Sequence, residues 1–244
     1  MGGRPLPFRP WAGLALGLGL VAGPVFGQDC RLSLVLAIDV SSSVDEVEDR
    51  LQREGLARAM LAPDVVRAIL SGSPVAVYAF EWSGSLSQVP LTEGWQVVGG
   101  EADLRRIAEA IAASPRSRDN LPTALGPALA HAALMLRDGP DCGRRVIDVA
   151  GDGRHNESYS PAVAYETFPF EGVTVNALIV GGSGGEDAAL VAWFQSEVLR
   201  GPGAFSLYSD GYEDYEEAMK AKLLRELELP VVGEAEPAPA PPRG

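Results

Sequence analysis

The sequence predicts an α/β fold: a doubly wound, Rossmann-like, mostly parallel sheet of six strands with one antiparallel edge strand, covered by helices on both faces. Three observations carry this. Apolar runs rich in Val, Ile, Leu and Ala, at residues 32–38, 75–80, 145–150 and 173–180, read as strands buried on both faces. Between them lie longer stretches whose apolar residues recur at helical spacing. The two kinds alternate without internal repeat, which calls for crossover connections and a sheet sandwiched between helices.

In order, the strand Leu32–Ile38 runs into Asp39-Val40-Ser41-Ser42-Ser43. Val44, Val47, Leu51, Gly55 and Ala59 then mark an amphipathic helix that Pro63 is expected to end. Ser43 and Glu46 have capping-box spacing at its start. The strand at 75–80 is followed by Glu81-Trp82-Ser83-Gly84-Ser85 and by a short segment, 86–91, suited to an antiparallel edge. Leu104, Ile107, Ala108 and Ile111 define a helix that stops before Pro115; residues 116–121 form a polar loop, and 122–136 are helical again. The strand at 145–150 ends in Gly151-Asp152-Gly153. A helix at 161–168, the strand at 173–180, a helix at 186–199 and a strand at 204–208 follow. The last helix carries Tyr212, Tyr215, Met219, Leu223 and Leu227 on one stripe, with Asp210 and Glu213 spaced to cap it.

The 244 residues, 46% of them hydrophobic, hold one core of about 200 residues once the two ends are set aside. Arg4 and Arg9, the apolar run Trp11–Ala22 and Val25-Phe26-Gly27 have the layout of a cleavable secretory signal, so 1–27 is expected to be a leader and the chain to be exported, periplasmic or secreted. Cys30 follows Asp29 without the small-residue context of a lipoprotein site. Residues 28–229 make the domain, and the Pro- and Ala-rich 230–244 reads as a disordered tail. A formal net charge of −13, more negative still without the leader's two arginines, argues against nucleic acid and anionic membrane surfaces as partners.

The chemistry concentrates at one edge. In a doubly wound sheet the loops at the carboxyl ends of neighbouring strands converge. Asp39, Ser41 and Ser43, then Thr123 before a helix, and Asp152 after the third strand are all expected there. Two carboxylates and three hydroxyls are hard oxygen donors, suited to magnesium, manganese or calcium and poorly to zinc. So few charges leave the ion coordinatively open, inviting an acidic group from a partner.

With these residues in place, the chain resembles the von Willebrand factor A domain family, whose metal-ion-dependent adhesion site has the pattern Asp-x-Ser-x-Ser, a distant Thr, and a distant Asp followed by Gly. Here those are Asp39-Val-Ser41-Ser-Ser43, Thr123 and Asp152-Gly153. The resemblance covers residues 31–227. It is nearest to a group of exported bacterial proteins of unassigned function, judged by Glu81-Trp82-Ser83-Gly84, Arg145-Val-Ile-Asp-Val-Ala-Gly-Asp-Gly153 and Gly201-Pro-Gly-Ala-Phe205. It implies that Ser41, Ser43 and Thr123 touch a divalent ion, Mg²⁺ before Mn²⁺ or Ca²⁺, that Asp39 and Asp152 hold it directly or through water, and that a partner's carboxylate completes the shell. It also implies that the site does no bond-breaking chemistry.

Cys30 lies nine positions before Asp39 and Cys142 ten before Asp152. If those aspartates end adjacent parallel strands, about 4.8 Å apart, the cysteines start at matching height and a Cys30–Cys142 disulfide is expected. Free buried thiols are the alternative. Several residues keep simpler readings: Ser43 as a helix cap, Thr123 as an ordinary helix start, Asp152 as a turn residue, Gly181–Gly185 as a flexible connection. The alternative functions are a serine hydrolase using Ser41 or Ser43 with His155 and Asp152, and a scaffold without an ion. The hydrolase lacks the flanking glycines of a nucleophile elbow and leaves Thr123 without a role.

Overall fold

The computed structural model describes Gly2 and residues 30–182 and 187–228. The expected leader apart from Gly2, the whole of the expected tail 230–244, and residues 183–185 of the Gly181–Gly185 connection lie outside the described residues. In chain order the elements are β1 (Leu32–Asp39), α1 (Glu46–Met60), α2 (Pro63–Leu70), β2 (Val75–Trp82), β3 (Gln88–Pro90), β4 (Gln96–Val98), α3 (Glu101–Ala113), α4 (Leu125–Asp138), β5 (Arg145–Gly151), α5 (Pro161–Thr167), β6 (Val173–Val180), α6 (Asp187–Glu197), β7 (Ser206–Ser209) and α7 (Tyr215–Leu227).

The sheet order is β3-β2-β1-β5-β6-β7, with β4 also on β2. Pairs among β2, β1, β5, β6 and β7 are parallel, and β3 and β4 run antiparallel to β2. The expected edge strand is therefore two short segments on one edge. Leu86, expected at its start, sits instead in the turn, 98% exposed.

β1 explains the layering. All its residues are buried, and the pleat sends alternate side chains to opposite faces. Leu34, Leu36 and Ile38 join a core with Leu56 of α1, Val65 of α2, Leu104 of α3 and Met219 of α7. Val35 and Ala37 join the other, with Leu129 of α4, Ala164 of α5 and Phe194 of α6. After β1 the chain builds outward through β2, then returns to add β5 on the opposite side, so the sheet's switch point lies between β1 and β5. In open α/β sheets, ligands bind outside the carboxyl ends of the strands at that point.

Three boundaries differ from the sequence reading. Pro63 starts a helix instead of ending a region, because proline fits the first helical turn, where its missing N–H costs nothing. The helix expected from residue 122 begins at Leu125, leaving Thr123 in the loop before it. The final helix begins at Tyr215 after Asp214, and neither Asp210 nor Glu213 caps it.

At the amino end, Cys30 and Cys142 form a disulfide with Cα atoms 4.8 Å apart. Their separation of 112 residues equals the β1–β5 register offset, in which Ser33 pairs with Arg145. Trp82 is fully buried core, and the half-buried His131 lies with its Nε2 3.2 Å from the Tyr78 hydroxyl. Among the described residues, no helix is long and apolar enough to cross a membrane.

Candidate metal centre

β1 delivers Asp39 as its last residue, fully buried. The chain then turns sharply, with Val44 N–H donating to the Ser41 carbonyl at 3.0 Å, which places Ser41 and Ser43 side by side. Ser41 N–H donates to Asp39 Oδ1 at 2.7 Å, and among the described residues the buried Asp39 Oδ2 has no hydrogen-bond partner. The Ser41 and Ser43 hydroxyl oxygens are 3.2 Å apart, and Thr123 Oγ1 donates to Ser41 Oγ at 3.2 Å. Ser43 Oγ donates to Asp152 Oδ1 at 2.7 Å, one residue past the end of β5. The five residues singled out in the sequence thus meet at the switch point.

The simpler readings of Ser43 and Thr123 do not hold. Asp45 caps α1, accepting from Val47 N–H at 2.7 Å and Glu48 N–H at 2.9 Å, while Glu48 accepts from Asp45 N–H at 2.8 Å. The turn at Ser41–Val44 pushes the helix start two residues beyond the Ser43/Glu46 spacing, and Asp serves there as well as Ser. Thr123 precedes Ala124, the residue flanking α4, and spends its hydroxyl on Ser41.

The electrostatics are those of a site short of positive charge. Burial, and then the neighbouring charge of Asp152, push the Asp39 carboxyl well above the usual carboxylate range, against the bonds from Ser41 and the charge of Arg116. Burial also raises Asp152, against the bond from Ser43. Tyr212, buried and facing Asp152, Asp39 and Glu48, has its hydroxyl raised by that burial and those charges. Small residues keep the space open. A Cβ added at Gly151 would stand 3.2 Å from Asp39 Oδ2, and one at Gly153 would stand 3.8 Å from Thr123 Oγ1 and 4.0 Å from Ser43 Oγ. Among the described residues no group of three or more His, Cys, Asp or Glu side chains gathers in metal-binding fashion. A cation at these residues would therefore draw on hydroxyls as much as carboxylates. That donor set, with its orphaned buried carboxylate oxygen, fits a hard divalent ion.

Residues unnoticed in the sequence hold the loop in place. Arg116, in the stretch read as a polar loop, donates to the carbonyls of Val40 at 2.8 Å, Ser41 at 3.0 Å and Val44 at 2.7 Å. Its position is fixed by a buried network in which Arg53 pairs with Asp49 and Glu81 and donates to Ser114 Oγ at 2.6 Å, while Glu81 Oε1 accepts from Ser117 N–H at 2.9 Å. Gln52 Nε2 donates to the Asp39 carbonyl at 2.7 Å. Asn156 brackets Thr123, its Oδ1 accepting from Thr123 N–H at 2.8 Å and its N–H donating to the Thr123 carbonyl at 3.0 Å. The close approach of α4 to the loop after Asp152 needs Gly126, where a Cβ would lie 1.9 Å from the Tyr159 carbonyl oxygen. An arginine among polar residues carries no periodic signal, so only the folded contacts reveal it.

The residues of the hydrolase alternative share this edge without forming a relay. The hydrogen bonds of Ser41 and Ser43 run to each other, to Thr123 and to Asp152. Among the described residues His155 Nδ1 has no hydrogen-bond partner, and burial holds that imidazole below its ordinary value.

A family model described as a protein of unknown function (DUF1194) matches residues 29–231. No curated protein matches the sequence. Solved structures with the same fold include a von Willebrand factor type A protein from Catenulispora acidiphila, with a TM-score of 0.56 and 16% identity over 81% of this chain and 43% of that one. Proximal thread matrix protein 1 from the mussel byssus, described with a zinc-occupied MIDAS motif, matches with a TM-score of 0.51 and 16% identity over 82% of this chain and 48% of its own. The pilus adhesin SpaC from Lactobacillus rhamnosus GG matches with a TM-score of 0.53 and 13% identity, over 82% of this chain and 31% of that one. The chain spans less than half the length of each of these structures.

Proposed function

The chain belongs to the family described as a protein of unknown function (DUF1194), with the fold of a von Willebrand factor A domain, and from that premise we propose that it is an exported, metal-dependent protein-binding module. Asp39, Ser41, Ser43, Thr123 and Asp152 hold a divalent cation, Mg²⁺ foremost, and the ion takes a carboxylate of a partner protein. The observation that carries this reading is the meeting of three hydroxyls with two carboxylates around a buried, unpartnered Asp39 Oδ2. When bound, the ion supplies the positive charge that Asp39 and Asp152 lack and an exchangeable position for an outside oxygen ligand. The protein's part is to hold the hydroxyls in one cluster through Arg116 and Asn156, and to keep water from Asp39 by burial.

Export is supported by the Cys30–Cys142 disulfide, since such bridges persist in oxidising compartments. In this reading residues 1–27 are the leader, 28–229 the binding domain and 230–244 a tail. The adhesin among the structural relatives supports a protein partner, and the zinc in the byssal protein's motif makes Zn²⁺ a necessary competitor in any test.

The test is calorimetric titration of the mature chain, after chelation, with Mg²⁺, Mn²⁺, Ca²⁺ and Zn²⁺, beside Asp39→Ala and Thr123→Ala. Saturable binding lost in both variants is expected. An ion at a hundredfold excess over its Kd adds about 2.7 kcal/mol of stability, visible as a rise in Tm. No saturable binding by the intact chain would remove the mechanism. Labelling of Ser41 or Ser43 by a fluorophosphonate would favour the hydrolase.

A further inference from the structure

Apart from the metal-site residues, four polar side chains meet inside the core between the sheet and α7. Asp148 of β5 and Asn176 of β6 are register partners, so they project from the same face of the sheet. Lys222 and Glu226 lie one turn apart on α7. Lys222 and Glu226 are 0% exposed, Asp148 and Asn176 2%. The Phe205 ring, centred 5.2 Å from Lys222 Nζ, helps to seal the group.

Lys222 Nζ stands 2.5 Å from Asp148 Oδ1 and donates to Glu226 Oε1 at 2.9 Å. The two carboxylates differ in what else they hold. Glu226 also accepts from Asn176 Nδ2, at 2.8 Å through Oε1 and 3.0 Å through Oε2. Neither Asp148 oxygen has a hydrogen-bond donor among the described residues. The Tyr215 hydroxyl, raised by burial and by the charge of Asp148, is likewise unspent among them. A carboxylate kept only to neutralise a buried lysine is expected to collect donors, as Glu226 does. Asp148 instead meets the amine with its carboxyl otherwise free.

We propose that Lys222 and Asp148 condense into an intramolecular isopeptide bond, with Glu226 as the group that relays the proton. A proton first passes from the Lys222 ammonium to the Asp148 carboxylate, since a site without water favours the uncharged pair over the separated ions. The Nζ lone pair then attacks Asp148 Cγ, and the Nζ–Cγ bond forms. Glu226 takes a proton from the nitrogen and returns it to the departing Asp148 oxygen. The Cγ–O bond breaks and one water leaves, so an acid and an amine become an amide with no oxidant or reductant. Tyr215 is an available donor to the oxygen on which negative charge builds. Fixed proximity supplies what makes such a condensation feasible without an activated acyl group. Glu226 keeps its charge and, after closure, accepts from the new amide N–H and from Asn176. Before closure Asp148 titrates as an acid; after it, neither Asp148 nor Lys222 carries charge. With the Cys30–Cys142 bridge, the bond ties β1 to β5 and β5 to α7 covalently.

The test is tryptic digestion of residues 28–244, held folded after purification, followed by tandem mass spectrometry. Peptide 146–154 is expected to be joined to peptide 221–225, with the chain uncut after Lys222 and the pair one water lighter than the two peptides together. Free peptide 146–154 with complete cleavage after Lys222 would overturn the proposal. A join from Lys222 to Asn176, recognised by the loss of ammonia in place of water, would overturn the assignment to Asp148. Glu226→Gln, checked first for native melting, is expected to slow closure by about 100-fold, and an unchanged rate would overturn the relay. Should that variant fail to fold, the native chain's peptides still decide whether the bond exists.

Discussion

At the amino end of β1 and β5, Cys30 is bonded to Cys142, Ser33 donates to the Pro140 carbonyl, and Arg31 spreads its guanidinium over the carbonyls of Ala68, Ile69, Ser73 and Leu227. At the carboxyl end of the same sheet, Asp39 Oδ2, Trp82 Nε1, Ser83 Oγ and His155 Nδ1 lie buried without hydrogen-bond partners among the described residues. Mid-sheet, the buried Lys222 of α7 lies 2.5 Å from Asp148 and 2.9 Å from Glu226, and Glu226 accepts from Asn176 at 2.8 Å, while Asp148 Oδ2 and the Tyr215 hydroxyl have no hydrogen-bond partner among the described residues. At the amino end these polar groups are paired off, whereas at the carboxyl end Asp39 Oδ2 is not, a cost in stability that a bound cation would offset. The difference separates residues whose loss should unfold the protein from residues whose loss should silence it.

That separation can be broken or sharpened by substitution. The largest expected effect lies mid-sheet. Lys222→Met leaves Asp148 and Glu226 without their cation and should cost about 3–5 kcal/mol in urea unfolding. Next comes the amino end, where Cys30→Ser with Cys142→Ser should cost about 2–5 kcal/mol, with Mg²⁺ affinity unchanged under conditions where the variant stays folded. Arg116→Met, which removes the three bonds holding the Val40–Val44 turn, should weaken Mg²⁺ binding by about 10–100-fold with a small change in Tm. A large fall in Tm with intact affinity would place Arg116 with the stabilising groups instead.

While Lys222 and Asp148 are unjoined, the pH response should follow the same division. Burial raises the Asp148 carboxyl to about 6, above its unfolded value of roughly 3.9. The folded state therefore holds this proton more tightly than the unfolded one. The stability it contributes is full below about pH 4 and is lost as pH rises through about 6, at no more than about 1.4 kcal/mol per pH unit. Asp148→Asn should flatten that slope in unfolding measured from pH 4 to 7, and a slope unchanged by the substitution would contradict it. The smallest effect has the opposite sign: Asp39→Asn removes an uncompensated buried charge and should raise metal-free stability by about 1 kcal/mol while abolishing the rise in Tm on adding Mg²⁺.

The fold, and the meeting of Asp39, Ser41, Ser43, Thr123 and Asp152 at one edge of the sheet, were legible because the strands and the Asp39–Ser43 turn carry strong local signals. Apolar runs such as Leu32–Ile38 have no other stable use, and Asp39-x-Ser41-x-Ser43 is a contiguous pattern at a strand end. The disulfide followed from register, because parallel strands keep equal spacing from a common edge. What stayed hidden depends on folded geometry. Whether Ser43 or Asp45 caps α1 is settled by a turn of a few residues, and both have the right chemistry. Arg116, Asn156 and the Arg53–Glu81 pair join segments far apart in sequence, and such contacts leave no periodicity. Asp210 and Glu213 imitate a helix cap by spacing, yet the helix starts later and they line a cleft beside Ser43 and Asp152 instead.

The most direct test is a crystal of residues 28–244 soaked in Mn²⁺ and measured for anomalous scattering. The account predicts one strong peak within bonding distance of the Ser41, Ser43 and Thr123 hydroxyls, beside Asp39 and Asp152, displaceable by Mg²⁺. An empty cluster at saturating Mn²⁺, or a peak held by other residues alone, would contradict it.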